Sequence, residues 1–284
     1  MGPVFLHTLI RSRGSIIVWG LSLSALGLMV VPFYDVYVAQ EEQMLQFIEN
    51  YPPEFLAFFG GMAAINTPAG FLNSQLTTLP VVFGIFAVLG GSALLARDEE
   101  SGRLDLILAH PISRLALFGG RLAAFVAANI VILTFCWLGF CIPLSGSSMD
   151  VTWGQMALPF VSTFAVVLVF GTTALLLSMV LSSRRKAAAA AGAVMVAGFF
   201  LSGFANLNAD LKPIARALPY EYFQGGYAIS GLNLVWFGGL LAVSALFVAL
   251  AAWRFQRRDI RVGGEGSLGL ARPAFLSRLR STSA

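Results

Sequence analysis

The chain has 284 residues, of which 57% are hydrophobic and only 11% are charged, and its formal net charge is +4. Soluble domains carry charges on about 25% of their residues, so this composition excludes a water-soluble domain and indicates a membrane protein. No polar segment is long enough to form a second, soluble domain, and no internal repeat is present.

Six apolar segments are long enough to cross the roughly 30 Å hydrocarbon core of a bilayer as helices. They lie at about 15–38, 76–96, 115–142, 155–181, 187–204 and 232–255. The first is longer than the apolar core of a cleaved signal peptide, which has about 7–15 residues. Its best cleavage motif, Tyr37-Val38-Ala39, also has a bulky residue where a small one is needed. We therefore predict a membrane helix there.

The segment 39–75, between the first two spans, contains acidic residues but no lysine or arginine. It also has a phenylalanine-rich run, 55–59, that is too short to cross a membrane. These features predict an amphipathic helix lying on the outer membrane surface. Deep re-entry is disfavoured because carboxylates are costly in hydrocarbon. The acidic residues are Glu41, Glu42, Glu49 and Glu54.

The distribution of basic residues predicts the orientation. If both termini are cytoplasmic, all but two of the 18 lysines and arginines lie on the cytoplasmic side, and only Lys212 and Arg216 lie outside. This agrees with the excess of Lys and Arg in cytoplasmic loops. The sequence thus predicts an all-α polytopic protein with six transmembrane helices and cytoplasmic N and C termini. Residues 261–284 are expected to form a basic, mobile tail.

A polar segment from Arg97 to Arg121 separates the second and third spans and contains four acids and four arginines. Within it, Leu104, Ile107 and Leu108 have helical spacing. A simple loop between two membrane helices does not need such a segment. We therefore predict an amphipathic cytoplasmic helix over 98–110 that binds another protein.

The same segment resembles the signature of ABC-2 type permeases, the membrane subunits of ATP-binding-cassette exporters. The family pattern is roughly E-x-x-x-G-T-L-D-L-L-L-x-x-P-[IV]-S-R, followed by Gly-Lys. Arg103 replaces the usual Thr and Arg121 the usual Lys, and the Arg257-Arg258-Asp259 ending is a weaker point of resemblance. The matching positions are Glu99 or Glu100, Gly102, Leu104, Asp105, Leu106, Leu108, Pro111, Ser113, Arg114 and Gly120.

The resemblance implies that residues 1–260 form an ABC-2 transmembrane domain with a coupling helix between helices 2 and 3. It also implies two copies of a cytoplasmic ATPase subunit, a second permease subunit in a homodimer or heterodimer, and a prokaryotic plasma (inner) membrane. Membrane lipid is a further expected partner, whereas nucleic acid is not. The residues expected to dock the ATPase are Asp98, Glu99, Glu100, Gly102, Arg103, Leu104, Asp105, Leu106, Ile107, Leu108, Pro111 and Arg114.

The chain itself lacks the residues for ATP hydrolysis, so we expect no enzyme activity. A phosphate-binding loop needs Gly-Lys followed by Ser or Thr, but Lys186 precedes Ala187 and Lys212 precedes Pro213. We therefore expect no cofactor in this chain, with ATP and Mg²⁺ bound by the partner ATPase.

Other candidate reactive residues have simpler interpretations. His7 and His110 have no partner at metal-ligand spacing, so we expect no metal site. Cys136 and Cys141 lie about 8 Å apart on a helix, too far for a disulfide, and are expected to be buried. Asp35 is interpreted mainly as an interface residue at the outer end of the first span, with a functional carboxylate as the alternative.

The spans carry almost no ionisable residues, and this favours a hydrophobic or amphipathic cargo such as a drug, a lipid or an antibiotic-like molecule. Two other functions remain open from the sequence. A secondary transporter would need no partner, but such proteins usually place ionisable groups near the midplane. A non-transporting membrane scaffold or sensor could share the topology. Stoichiometric co-purification of an ATPase would support only the exporter.

Overall fold

The computed structural model describes residues 1–40, 42, 43, 46, 50–58, 66–109 and 112–257, except for the side chains of Pro53, Asp105, Leu106 and Leu108. Within these ranges all regular structure is helical, which confirms the all-α prediction. The predicted tail 261–284 lies outside the described residues, as do Glu41, Glu49, His110 and Pro111.

Several of the described connections between the helices are 3₁₀-helical turns. In chain order the α-helices are α1 (Gly2–Ala39), α2 (Pro53–Phe58), α3 (Pro68–Leu76), α4 (Leu79–Ala93), α5 (Ala96–Glu100), α6 (Arg103–Leu108), α7 (Arg114–Cys141), α8 (Trp153–Val180), α9 (Arg184–Ala205), α10 (Lys212–Ala215) and α11 (Leu234–Arg257). The 3₁₀ turns are Ile142–Gly146, Ala209–Leu211, Pro219–Tyr222 and Gly225–Ser230.

Five helices are long and apolar enough to cross a membrane, namely α1, α7, α8, α9 and α11. A sixth candidate span consists of α3 and α4 together, which are bent by 40° at the break between them. The prediction of a polytopic helical membrane protein is therefore confirmed, with six spans if the bent pair counts as one.

If the bent pair is one span, the second span begins earlier than the predicted residue 76. The apolar path begins at Pro68 rather than near residue 76, and the helix breaks before Leu79. Pro80 explains the break, because proline lacks an N–H group and its ring clashes with the carbonyl group four residues earlier. Residues 68–75 were expected on the outer surface, but Phe71 and Leu72 are fully buried. These two side chains pack inside the bundle, and the position of residues 68–75 relative to the membrane stays a prediction.

The two main helix seams are built on glycine. In the α1–α7 seam, a Cβ at Gly139 would overlap the carbonyl group of Ser24. In the α4–α8 seam, a Cβ at Gly91 would overlap the carbonyl group of Gly171. Small residues allow such close approach of backbones, and this supplies the packing contacts that hold helices together in lipid.

The central helix of the bundle is α8, which packs against α4, α7, α9 and α11. At the end of the bundle where α8 begins, α2 covers the last turns of α9. The ring of Phe58 lies 5.3 Å from that of Phe204 and 6.2 Å from that of Phe199. The described residues of the polar segment 97–121 lie at the other end of the bundle, where α8 ends and α9 begins.

Candidate functional site

The predicted helix over 98–110 is two short helices, α5 and α6, separated by a turn at Ser101-Gly102. Gly102 has φ = 67°, in the left-handed region that glycine adopts without a Cβ penalty. Its N–H group donates to the carbonyl oxygen of Glu99 at 3.0 Å, and this contact ends α5. The prediction of one continuous helix over 98–110 is therefore wrong, and the conformation of Gly102 explains the break.

Asp98 is the centre of a charged cluster that joins three elements. Its Oδ2 accepts a hydrogen bond from Nη2 of Arg121 in α7 at 2.6 Å, and its Oδ1 accepts one from Nη1 of Arg11 in α1 at 3.3 Å. The side chains of Asp98 and Arg121 are only 6% and 8% exposed, whereas Arg11 is 38% exposed. The Asp98–Arg121 pair is therefore a buried ion pair.

Arg121 also donates through Nη1 to the carbonyl oxygen of Leu94 at 2.8 Å. This carbonyl group lies at the end of α4, just beyond its last residue. The guanidinium thus contacts both the C-terminus of α4 and the carboxylate of α5. Removing one member of a buried ion pair leaves the other charge desolvated, so Asp98 and Arg121 depend on each other.

Leu104 was expected to dock the ATPase, but it is 1% exposed within this chain. It belongs to a cluster that includes Leu95, Leu117 and Phe255, so its side chain stabilises the chain itself. Ile107 is partly buried against the same cluster. Asp98 and Glu99 are buried as well. Leu104 and Ile107 of α6 are therefore turned toward the bundle.

The exposed docking candidates lie around the turn between α5 and α6. Arg97, Glu100, Ser101 and Arg103 are exposed. Oε1 of Glu100 accepts a hydrogen bond from the backbone N–H of Arg184 at 2.6 Å. A carboxylate at this position also interacts favourably with the positive end of the α9 dipole. Glu100 thus fastens the turn to the start of α9.

The remaining docking candidates divide into two groups. Arg114 is half-buried, and its Nη1 donates to the carbonyl oxygen of Phe255 at 3.4 Å. This contact joins the start of α7 to the end of α11. The side chains of Asp105, Leu106 and Leu108, and all of Pro111, lie outside the described residues.

Beside the charged cluster lies a groove of about 1150 Å³ between α1, α4 and α7. One half is polar and lined by arginines, among them Arg11, Arg97 and Arg103. The other half is apolar, with Trp19 and Phe86 among its lining residues. Sequence reasoning did not find this groove, because its residues come from distant parts of the chain.

Asp35 is tied to the loop that follows α7. Its Oδ1 accepts hydrogen bonds from the backbone N–H of Ser148 at 2.7 Å and from the side-chain hydroxyl groups of Ser147 and Ser148. The carboxylate therefore anchors this loop to the end of α1, which fits the interpretation as an interface residue.

The other candidate reactive residues lie elsewhere. His7 lines the polar half of the groove. Cys136 and Cys141 are buried free thiols.

A comparison with protein families matches residues 5–260 to the family described as "ABC-2 family transporter protein". The match covers every described transmembrane helix except the first three residues of α1. A comparison with curated proteins gave no match.

Proposed function

Because the chain belongs to the ABC-2 family of transporter proteins, we propose that it is the permease subunit of an ATP-binding-cassette exporter. It forms the substrate path and couples that path to ATP hydrolysis by a separate subunit. The family match carries this proposal. Members of the family are transmembrane components, typically non-catalytic, and membership implies association with an ABC ATPase partner. The apolar helices make the chain a multi-pass membrane protein.

The turn at Ser101-Gly102 is the proposed docking point for the ATPase. Around it, Asp98 fastens α5 to α1 and α7, while Glu100 fastens it to α9. A force applied at the turn therefore acts on three candidate membrane spans at once. This differs from docking through the leucines of α6, because Leu104 is already buried in the bundle.

The arrangement of charges supports a cytoplasmic position for this turn. Arg11, Arg97, Arg103, Arg121 and Arg184 line one groove at one end of the bundle. The segment with Lys212 and Arg216 follows the other end of α9, which is 22 residues or about 33 Å long. Under the positive-inside rule the arginine-rich end faces the cytoplasm. ATP is then available to a subunit bound there.

The complete transporter in this proposal has two permease subunits, identical or different, and two ATPase subunits that bind ATP and Mg²⁺. It resides in a prokaryotic plasma membrane and exports a hydrophobic or amphipathic cargo. The absence of Asp, Glu, Lys, Arg and His from the central turns of α7, α8 and α11 supports such a cargo, since charged residues within a membrane usually mark an ion pathway.

Cross-linking at the turn tests this function. In a variant whose buried cysteines are replaced by alanine, Ser101→Cys is expected to cross-link to a co-expressed ATPase, whereas Ser145→Cys at the opposite end is not. Ser101→Trp should reduce permease-stimulated ATPase activity about tenfold or more, because the added ring prevents close docking. Gly14→Trp adds the same bulk on an exposed face of α1 and should have little effect. Normal stimulation in Ser101→Trp would contradict docking at this turn, and failure of any ATPase to co-purify would contradict the function itself.

A further inference from the structure

The groove beside the charged cluster has a strong excess of positive charge. Among the described residues that line the groove, Asp98 is the only acidic one, whereas five arginines and one histidine line the same polar half. Nearby, Glu100 contacts the backbone N–H of Arg184, and Glu99 does not line the groove. The basic lining residues are His7, Arg11, Arg97, Arg103, Arg121 and Arg184.

Asp98 cannot neutralise this excess. Its two oxygens already accept hydrogen bonds from Arg11 and Arg121. Within the described part of the chain, the guanidinium groups of Arg97 and Arg103 form no hydrogen bond or ion pair. Both residues are exposed and line the groove. They are therefore available to bind an anion, and arginine binds phosphate through two parallel hydrogen bonds.

The apolar half extends the groove along the membrane-spanning parts of α1, α4 and α7. From Arg11 to Trp19 the wall runs along eight residues of α1, or about 12 Å. The facing walls contain Leu89 and Phe125. The rings of Trp19 and Phe86 lie 6.0 Å apart and bring α1 and α4 together at this level.

We propose that this groove binds an anionic phospholipid from the surrounding leaflet. Its phosphate lies against Arg97 and Arg103, and one acyl chain lies along the apolar half. Charge complementarity favours this ligand over a zwitterionic lipid, because the polar half holds excess cations. The adjoining apolar wall favours a lipid over a free anion. In the orientation proposed above, the groove faces the cytoplasmic leaflet, where anionic headgroups attract basic residues. The site requires neither the ATPase nor transport, so it goes beyond the proposed function.

Binding to the purified full-length chain in detergent tests the polar half. We expect a fluorescent phosphatidylglycerol to bind and a phosphatidylcholine with the same acyl chains to bind at least tenfold more weakly. Arg97→Gln and Arg103→Gln should each weaken phosphatidylglycerol binding about tenfold, the loss expected for one charge-assisted contact. Arg13→Gln and Arg185→Gln are the matched controls, since both arginines are exposed and neither lines the groove.

A separate variant tests whether the apolar half of the groove contributes to lipid binding. Ser15 is an exposed residue that lines the groove between the two halves, whereas Ile17 is exposed on α1 outside it. Ser15→Trp should therefore block lipid binding without disturbing buried packing, and Ile17→Trp should leave it unchanged. Thermal unfolding of all six variants shows which of them are folded, so that a loss of binding is read only from a folded protein.

Competition identifies the nature of the ligand. Dodecyl phosphate should displace the fluorescent lipid, and inorganic phosphate at the same concentration should not. Equal binding of phosphatidylcholine and phosphatidylglycerol would overturn the proposal, as would equal losses in the control variants. Displacement by inorganic phosphate alone would overturn it in favour of a free-anion site. Because no ATPase is present, these results do not depend on whether the chain is an exporter.

Discussion

The two ends of the helix bundle are held together by different interactions. At the arginine-rich end, the carboxylate of Asp98 lies between Arg121 and Arg11 and connects α5 with α1 and α7. Toward the opposite end, α1 and α7 meet through close backbone contact at Gly27 and Gly139, without an ion pair among the described residues. The first joint depends on charge complementarity, whereas the second depends on the absence of side-chain volume.

This difference determines how each joint responds to change. When one charge of a buried ion pair is removed, the other charge stays buried without compensation, which is strongly destabilising. A glycine seam tolerates changes of charge elsewhere but not an added methyl group. The proposed docking turn lies next to the charged joint, so a partner that binds there contacts the part of the bundle that contains the buried ion pair. The seam then keeps α1 and α7 together as one unit.

The largest effect is expected from Asp98→Ala, which leaves the guanidinium of Arg121 buried without its carboxylate. We expect a loss of about 3–5 kcal/mol in the free energy of unfolding, measured by thermal or denaturant unfolding in detergent. Combining Asp98→Leu with Arg121→Met replaces the whole pair with apolar groups and should recover most of this loss. If the double variant is no more stable than Asp98→Ala, the buried pair does not dominate this joint.

A smaller effect is expected from Gly139→Ala in the α1–α7 seam. The new methyl group overlaps the carbonyl group of Ser24, and the helices must separate, at a cost of about 1–3 kcal/mol. Gly146→Ala is the matched control, because nothing lies within 4 Å of the position its Cβ would occupy. The measurement is again the free energy of unfolding in detergent.

The reactivity of the buried thiol of Cys136 can distinguish a change at one joint from a change at the other. Cys136 lies one turn from Gly139, with its Sγ 3.7 Å from the carbonyl oxygen of Leu23. Gly139→Ala should therefore speed its reaction with N-ethylmaleimide, whereas Asp98→Ala should not while the protein remains folded. Equal acceleration in both variants would show that the two joints open together, and the contrast between them would be lost.

The smallest effect is expected from Gly102→Ala at the proposed docking turn. A Cβ at φ = 67° costs about 1 kcal/mol, and no neighbouring atom lies within 4 Å of it. Gly154→Ala, at a glycine with ordinary φ and equally open surroundings, should cost less. A loss in Gly102→Ala as large as that in Asp98→Ala would mean that the turn, rather than the ion pair, organises this end of the bundle. Thermal unfolding of both glycine variants provides the comparison.

The length and hydropathy of the apolar segments determined the all-helical membrane class, because a chain in lipid must satisfy its backbone hydrogen bonds within each helix. The residues of the polar segment 97–121 also carried the family resemblance. The turn at Gly102 could have been predicted from Ser101-Gly102, since glycine commonly ends a helix. The break before Leu79 could likewise have been predicted from Pro80.

Only the tertiary structure decided how the polar segment is used. Helical spacing identified an apolar face containing Leu104, but periodicity does not reveal whether such a face covers a partner or the chain's own core. The partners of Asp98 are 23 and 87 residues away in the sequence, and no local pattern links them. The groove has the same origin, because its arginines come from α1, α7, α9 and the α5–α6 segment. Composition sets which groups must be buried or exposed, but contacts between groups so far apart in the chain depend on how the helices pack.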